Sequence, residues 1–167
     1  MNFNNETRDI ARLELANRLF FKLYQCANML HKTGTRAVEE EGLTTQQWAV
    51  LGALSRNEIQ ERGMSINELA HYLMMTRQNV SGLVSRMTRD GRVEAISDKE
   101  DRRLKLIRMT ENGRRVWEEA AQPKIKAFYE AATEGMSTTD LAHSLHYMIK
   151  LLENMNRIDT GTEGREE

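Results

Sequence analysis

Apolar residues along the chain fall into two rhythms. Leu13, Ala16, Phe20, Leu23, Ala27 and Leu30 recur at intervals of three and four, and so do Leu141, Leu145, Met148, Leu152 and Met155. Such heptad-like stripes predict long helices that pack against other helices. Between them, Val80, Leu83, Val84 and Met87 give a shorter helix its apolar face. The rhythm then changes. Arg92–Ile96 and Leu104–Met109 are strand-like in composition, and the polar run Ser97–Arg103 separates them, which predicts a β-hairpin.

Capping residues divide the helical parts. Thr44-Thr45-Gln46-Gln47 and Ser65-Ile66-Asn67-Glu68 fit the capping box, in which a hydroxyl and a Glu or Gln satisfy orphan amides reciprocally. Ser137–Asp140 is a weaker version, and Thr76 and Thr110 suit single N-caps. Helices are therefore expected at about 8–40, 45–56, 66–73, 77–89, 111–134 and 138–157. Gly34 is expected to loosen the end of the first and Pro123 to kink the fifth. The tail 159–167 has no apolar residue and is expected to be disordered.

Composition agrees with a mainly α protein carrying a small β-hairpin, since the 167 residues include one proline and few aromatics. No apolar run approaches a bilayer span, the N-terminus lacks a signal-peptide core, and one cysteine forms no internal disulfide, so a cytoplasmic setting is expected. The net charge of −1 conceals an uneven distribution. Nine basic and five acidic side chains lie between Thr76 and Arg108, giving that segment +4.

The helix Thr76–Arg89, TRQNVSGLVSRMTR, contains no acid and has a glycine at its centre. Opposite its apolar face stand Gln78, Ser81, Gly82, Ser85 and Arg89, with Asn79 and Arg86 to one flank. These side chains are small or donate hydrogen bonds, as a helix entering a major groove requires. Two or three residues link it to the preceding helix, so the pair reads as a helix-turn-helix. In the hairpin, Asp98 and Asp101 beside Arg102 and Arg103 fit a turn in which a salt bridge locks one arginine and the other enters a minor groove.

Three stretches resemble the MarR-type winged-helix regulators: Leu69-Ala70 with Leu73; Val80, Leu83-Val84, Arg86-Met87 and Gly91; and the wing run DKEDRRLKLIRMTENG, Asp98–Gly113. The family's wing pattern is Asp, two residues, Asp-Arg-Arg, five residues, Leu-Thr, two residues, Gly; here Met109 replaces the Leu. The resemblance covers about 10–155. It implies a winged helix-turn-helix in an interlocked homodimer, with recognition helices in successive major grooves of a pseudo-palindromic double-stranded DNA operator and wings in minor grooves. The expected organisation is a dimerisation helix at 1–44, a DNA-binding lobe at 45–109 and dimerisation helices at 110–158. Expected DNA contacts are Ser65, Thr76, Arg77, Gln78, Asn79, Ser81, Gly82, Ser85, Arg86, Arg89, Lys99, Arg102 and Arg103, with Asp98 and Asp101 stabilising the wing.

Family members answer to small molecules, often aromatic acids, so a repressor released by an aromatic carboxylate or its CoA thioester is expected. Arg18 suits a carboxylate, and Phe20, Tyr24 and Trp48 suit an aromatic ring. Trp48 equally suits a core, beside Val50, Leu51 and Leu54, and Arg18 a solvated face. One family branch senses oxidants through a cysteine preceding a Phe-x-Leu-Tyr run. The matching position here is Phe20, and Cys26 falls six residues later, where a small buried apolar role is expected. No Cys/His spacing suggests a metal, no cofactor is implied, and no nucleophile–base pair suggests an enzyme. The alternative from another class is a winged-helix dimer that binds protein.

Overall fold

The computed structural model describes residues 3–98 and 100–163. Helix α1 (Phe3–Ala37) ends in a 3-10 turn (Glu39–Glu41), followed by α2 (Thr45–Leu54), α3 (Ile66–Tyr72) and α4 (Arg77–Arg89). Strands β1 (Val93–Ser97) and β2 (Lys105–Met109) form the hairpin. Helices α5 (Glu111–Arg115), α6 (Gln122–Ala132) and α7 (Thr138–Glu163) complete the chain, with a π-helical turn (Val116–Ala121) between α5 and α6. The chain divides into two compact units, Met1–Phe128 and Tyr129–Glu167. No helix among the described residues is long and apolar enough to cross a membrane.

Local chemistry sets the helix starts. Thr44 accepts the Gln47 N–H at 3.3 Å, and its own N–H donates to Gln47 Oε1 at 2.9 Å. Ser65 and Glu68 repeat this at 3.2 and 2.7 Å. Thr76 caps α4 through the Asn79 N–H, and Thr110 caps α5 through the Gly113 N–H. In the second unit Ser137 and Asp140 complete a reciprocal box before α7. The Ser137 hydroxyl and then its backbone N–H hold the Asp140 carboxyl below its usual pKa.

The core of the first unit joins Val50, Leu51 and Leu54 of α2, Leu69 of α3, Val80, Leu83, Val84 and Met87 of α4, and Val93 and Ile107 of the hairpin. Each such aliphatic side chain contributes roughly 1.5–3 kcal/mol on burial. Trp117, Ala121 and Ile125 belong to the same cluster, and the first unit runs on to Phe128.

Two expectations, at Gly34 and in the tail, are corrected, and two features are added, at Pro123 and beside the hairpin. Gly34 does not loosen α1, which continues to Ala37. A Cβ there would lie 2.6 Å from Thr45 Cγ2, so its small size lets α1 lie against the start of α2. Pro123 is accommodated by the π turn before it, in which the Gln122 N–H reaches back to the Trp117 carbonyl. The hairpin gains a third, one-residue partner: Met64 N–H donates to Ile107 O at 2.9 Å, and Ile107 N–H to Met64 O at 2.7 Å. Finally, α7 continues through 159–163, where the Thr160 hydroxyl donates to the Asn156 carbonyl. Apolar side chains are not needed to extend a helix already begun. Residues 164–167 of the expected tail lie outside the described residues.

Candidate nucleic-acid interface and effector surface

Helix α4 is sharply two-sided. Val80, Leu83, Val84 and Met87 are buried, whereas Arg77, Gln78, Asn79, Ser81, Ser85, Arg86 and Arg89 are exposed. A Cβ on Gly82 would meet nothing closer than Arg86 Nη1 at 3.7 Å. The protein's own packing therefore does not require glycine there, and the bare position belongs to the outward face. Thr76 is exposed while its hydroxyl caps the helix.

Ser65 is excluded from this face. It is buried, and its hydroxyl and N–H are both engaged with Glu68. Lys99 lies outside the described residues.

The turn between α3 and α4 is tight, and Met75 N–H closes it on the Ala70 carbonyl at 2.9 Å. Met74, at φ 52°, takes the left-handed conformation normally left to glycine. Nothing in the sequence signalled this, because Leu-Met-Met-Thr carries no turn residue.

In the wing, the acids act on backbone amides. Asp98 Oδ1 accepts the N–H groups of Glu100 and Asp101, both at 2.9 Å. Asp101 Oδ1 accepts the Arg103 N–H at 2.9 Å, and its carbonyl accepts the Leu104 N–H. The turn is thereby closed by short side-chain acceptors, and Arg102 and Arg103 stand exposed.

The basic surplus read from the sequence is not all available to a ligand. Arg108 pairs with Glu94 across the strands at 2.8 Å, Lys105 donates to Ser97, and Arg92 donates to the Glu41 carbonyl at 2.7 Å. Among the described residues, Arg77, Arg86, Arg89, Arg102 and Arg103 supply the exposed cations of the α4 face and wing tip.

The four expected effector residues do not converge within one chain. Trp48 is 9% exposed and packs edge-on against Phe128, with ring centroids 5.9 Å apart, as a core residue. Phe20 and Tyr24 are exposed on α1, but lie about 200° and 240° around the helix from Arg18. Arg18 instead borders a shallow concavity of about 640 Å³ with Leu15, Leu19, Phe21 and Lys22. Both stripe helices leave their apolar residues open: Leu13, Phe21, Leu145 and Tyr147 are each at least 59% exposed. Cys26 is likewise exposed in the single chain, against the buried role expected of it. Among the described residues, no group of three or more His, Cys, Asp or Glu is placed to hold a metal ion.

Comparison with known proteins places this geometry. The sequence profile of the MarR family matches residues 41–104. The chain is 61% identical over 154 residues to the transcriptional activatory protein BadR of Rhodopseudomonas palustris, an alignment covering 92% of this chain and 87% of BadR. It is 29% identical over 117 residues to the homoprotocatechuate degradative operon repressor of Escherichia coli, covering 68% of this chain and 76% of the repressor. Among solved structures, CouR from Rhodococcus jostii RHA1 bound to p-coumaroyl-CoA superposes with a TM-score of 0.69 at 26% identity, over 84% of this chain and 93% of CouR. The helix-turn-helix, the hairpin wing and this similarity over nearly the whole chain lead to one conclusion: the chain belongs to the MarR family and is a winged-helix transcriptional regulator, not an enzyme.

Proposed function

We propose that the protein acts as a homodimer on a pseudo-palindromic DNA operator and leaves it on binding an aromatic carboxylate or the corresponding CoA thioester. The observation that carries the DNA reading is the outward face of α4, which is exposed, free of acids and bare at Gly82, beside the exposed wing residues Arg102 and Arg103. Gln78, Asn79, Ser81, Ser85 and Arg86 read base edges, while Arg77, Arg89 and the wing arginines neutralise phosphate or enter a minor groove.

Dimerisation is supported by the open apolar residues of α1 and, separately, of α7, since a monomer rarely leaves so many large apolar side chains in water. The effector class is supported by the E. coli homoprotocatechuate repressor and by CouR with its bound p-coumaroyl-CoA. Arg18 and Lys22 offer cations to a carboxylate or a phosphate, and Leu15 and Phe21 offer apolar cover. Trp48 is left out of this set because the core holds it. A regulator released in this way represses where its operator overlaps the promoter. The same release lowers transcription where bound protein assists polymerase; the relative BadR is named a transcriptional activatory protein.

The test is a gel shift against the DNA flanking its own gene at several salt concentrations, followed by addition of aromatic acids and their CoA thioesters. Salt-sensitive duplex binding that one of these ligands relieves is expected. A wild-type dimer that fails to bind any duplex tightly would leave the protein-interaction reading in its place.

A further inference from the structure

Arg92 lies three residues beyond the end of α4 and is held from both directions. Its N–H donates to Met87 O at 2.9 Å, which fixes it to the last turn of α4. Its carbonyl accepts the Thr110 N–H at 3.1 Å, and the neighbouring Gly91 carbonyl accepts the Thr110 hydroxyl at 2.7 Å. The exit of α4 is thereby tied to the start of α5. The Arg92 side chain runs the other way, and Nη2 donates to the carbonyl of Glu41 in the turn that ends α1. The Glu41 carboxylate in turn receives Lys124 of α6, with Nζ 2.7 Å from Oε1.

One donor and one acceptor remain unmade at this junction. Arg92 Nη1 and Glu41 Oε2 are both buried without a hydrogen-bond partner, although the two residues already touch. Buried groups of this kind are costly to leave unpaired, more so when charged. The Glu41 carboxylate is held by Lys124, which also pairs with Glu40, while the Arg92 guanidinium is held by the Glu41 main-chain carbonyl.

We propose that Arg92 is a positioning residue for operator recognition, setting the angle of α4 against the end of α1, with the Glu41 carboxylate as its exchangeable partner. This rests on the dimeric operator reading above. In a dimer built on α1, that angle sets the distance between the two recognition helices, and half-site spacing is the quantity DNA reports. Arg92 therefore governs spacing preference more than contact strength.

The test begins with wild-type protein selecting its duplex from a random library. Versions of that duplex with one base pair inserted or removed between the half-sites are then titrated. Wild type should discriminate against altered spacing by about tenfold or more. Arg92→Met keeps the length of the side chain and removes its donors. It should reduce that ratio to within about threefold, while thermal melting shows a folded chain. Arg92→Lys can still donate to the Glu41 carbonyl and should restore most of the discrimination. Lys124→Met releases the Glu41 carboxylate to Arg92 and should change the spacing ratio about threefold or more without altering α4; it decides the matter if Arg92→Met does not fold. Unchanged spacing ratios in folded Arg92→Met, or in Lys124→Met, overturn the proposal, and a lowered melting temperature with unchanged ratios would mark Arg92 as purely structural. A wild-type chain that selects no duplex overturns the operator reading and this inference together.

Discussion

Gly113 packs directly onto Arg92: a Cβ on the glycine would stand 1.9 Å from the Arg92 carbonyl oxygen and 2.8 Å from its carbonyl carbon. Both obstacles are backbone, and the same carbonyl already accepts the Thr110 N–H. Neither side can give way without parting α5 from the exit of α4. Gly113→Ala should therefore destabilise the protein by about 3 kcal/mol or more, the upper range for overpacking a filled site. Urea denaturation followed by circular dichroism measures it, and a cost under about 1 kcal/mol would contradict this packing.

Met74 offers the opposite case. Its φ of 52° strains an ordinary side chain, and the residue is 48% exposed, so little packing is lost with its side chain. Met74→Gly should stabilise the fold by about 0.5–1 kcal/mol, because relief of strain exceeds the extra freedom glycine has when unfolded. A fall in melting temperature would show that the Met74 side chain contributes more than its exposure suggests.

These two residues mark where the sequence was and was not legible. The capping pairs Thr44–Gln47 and Ser65–Glu68 act within four residues, so their chemistry could be read directly. The hairpin announced itself by its change of period, and Thr110–Gly113 by its place in the wing pattern. The reach of Arg92 to Glu41 spans 51 positions, and the pairing of Met64 with Ile107 is a single residue long. Neither leaves a periodic trace. Arg18, Phe20, Tyr24 and Trp48 share the chemistry that suits an aromatic acid, but helix geometry separates them: Arg18 is about 24 Å along the α1 axis from Gly34, where α1 meets Trp48.

The capping box of α3 carries a pH dependence. Burial, the largest influence on Glu68, works to raise its pKa. The Ser65 backbone N–H, the Arg62 guanidinium and the Ser65 side chain together outweigh burial and hold it below the usual glutamate value. A depressed folded pKa means that the stabilisation is complete above the unfolded value, about 4.3, and is lost as pH falls through the folded one. Glu68→Gln should lower the melting temperature at pH 7, and the gap from wild type should narrow between about pH 5 and pH 3. A constant gap across that range would mean that Glu68 works by shape rather than charge.

Two wing substitutions separate charge from geometry. Arg103→Ala should weaken duplex binding and make its salt dependence shallower by about one unit for each copy that touches phosphate. Asp98→Ala removes an acid from the wing, so charge alone would tighten binding to DNA. Yet Asp98 Oδ1 holds the Glu100 and Asp101 N–H groups that shape the turn. Binding should therefore weaken, with the salt slope little changed. Tighter binding by Asp98→Ala in a titration at fixed salt would refute the geometric role.

Gly82 gives the most discriminating test of the α4 face. An interior glycine costs a helix about 1 kcal/mol relative to alanine, and the added Cβ would find only ordinary contact distance to Arg86. Gly82→Ala should therefore stabilise the free protein by about 0.5–1 kcal/mol in thermal or urea unfolding. If the same face lies against base edges, the added methyl occupies space the DNA needs, and operator affinity should fall about tenfold in a gel shift. A substitution that strengthens the fold while weakening its binding cannot act through general damage, so the two measurements together locate the DNA surface. Stabilisation with unchanged affinity would move that surface off the centre of α4, and the arginines of the wing would then carry the contact.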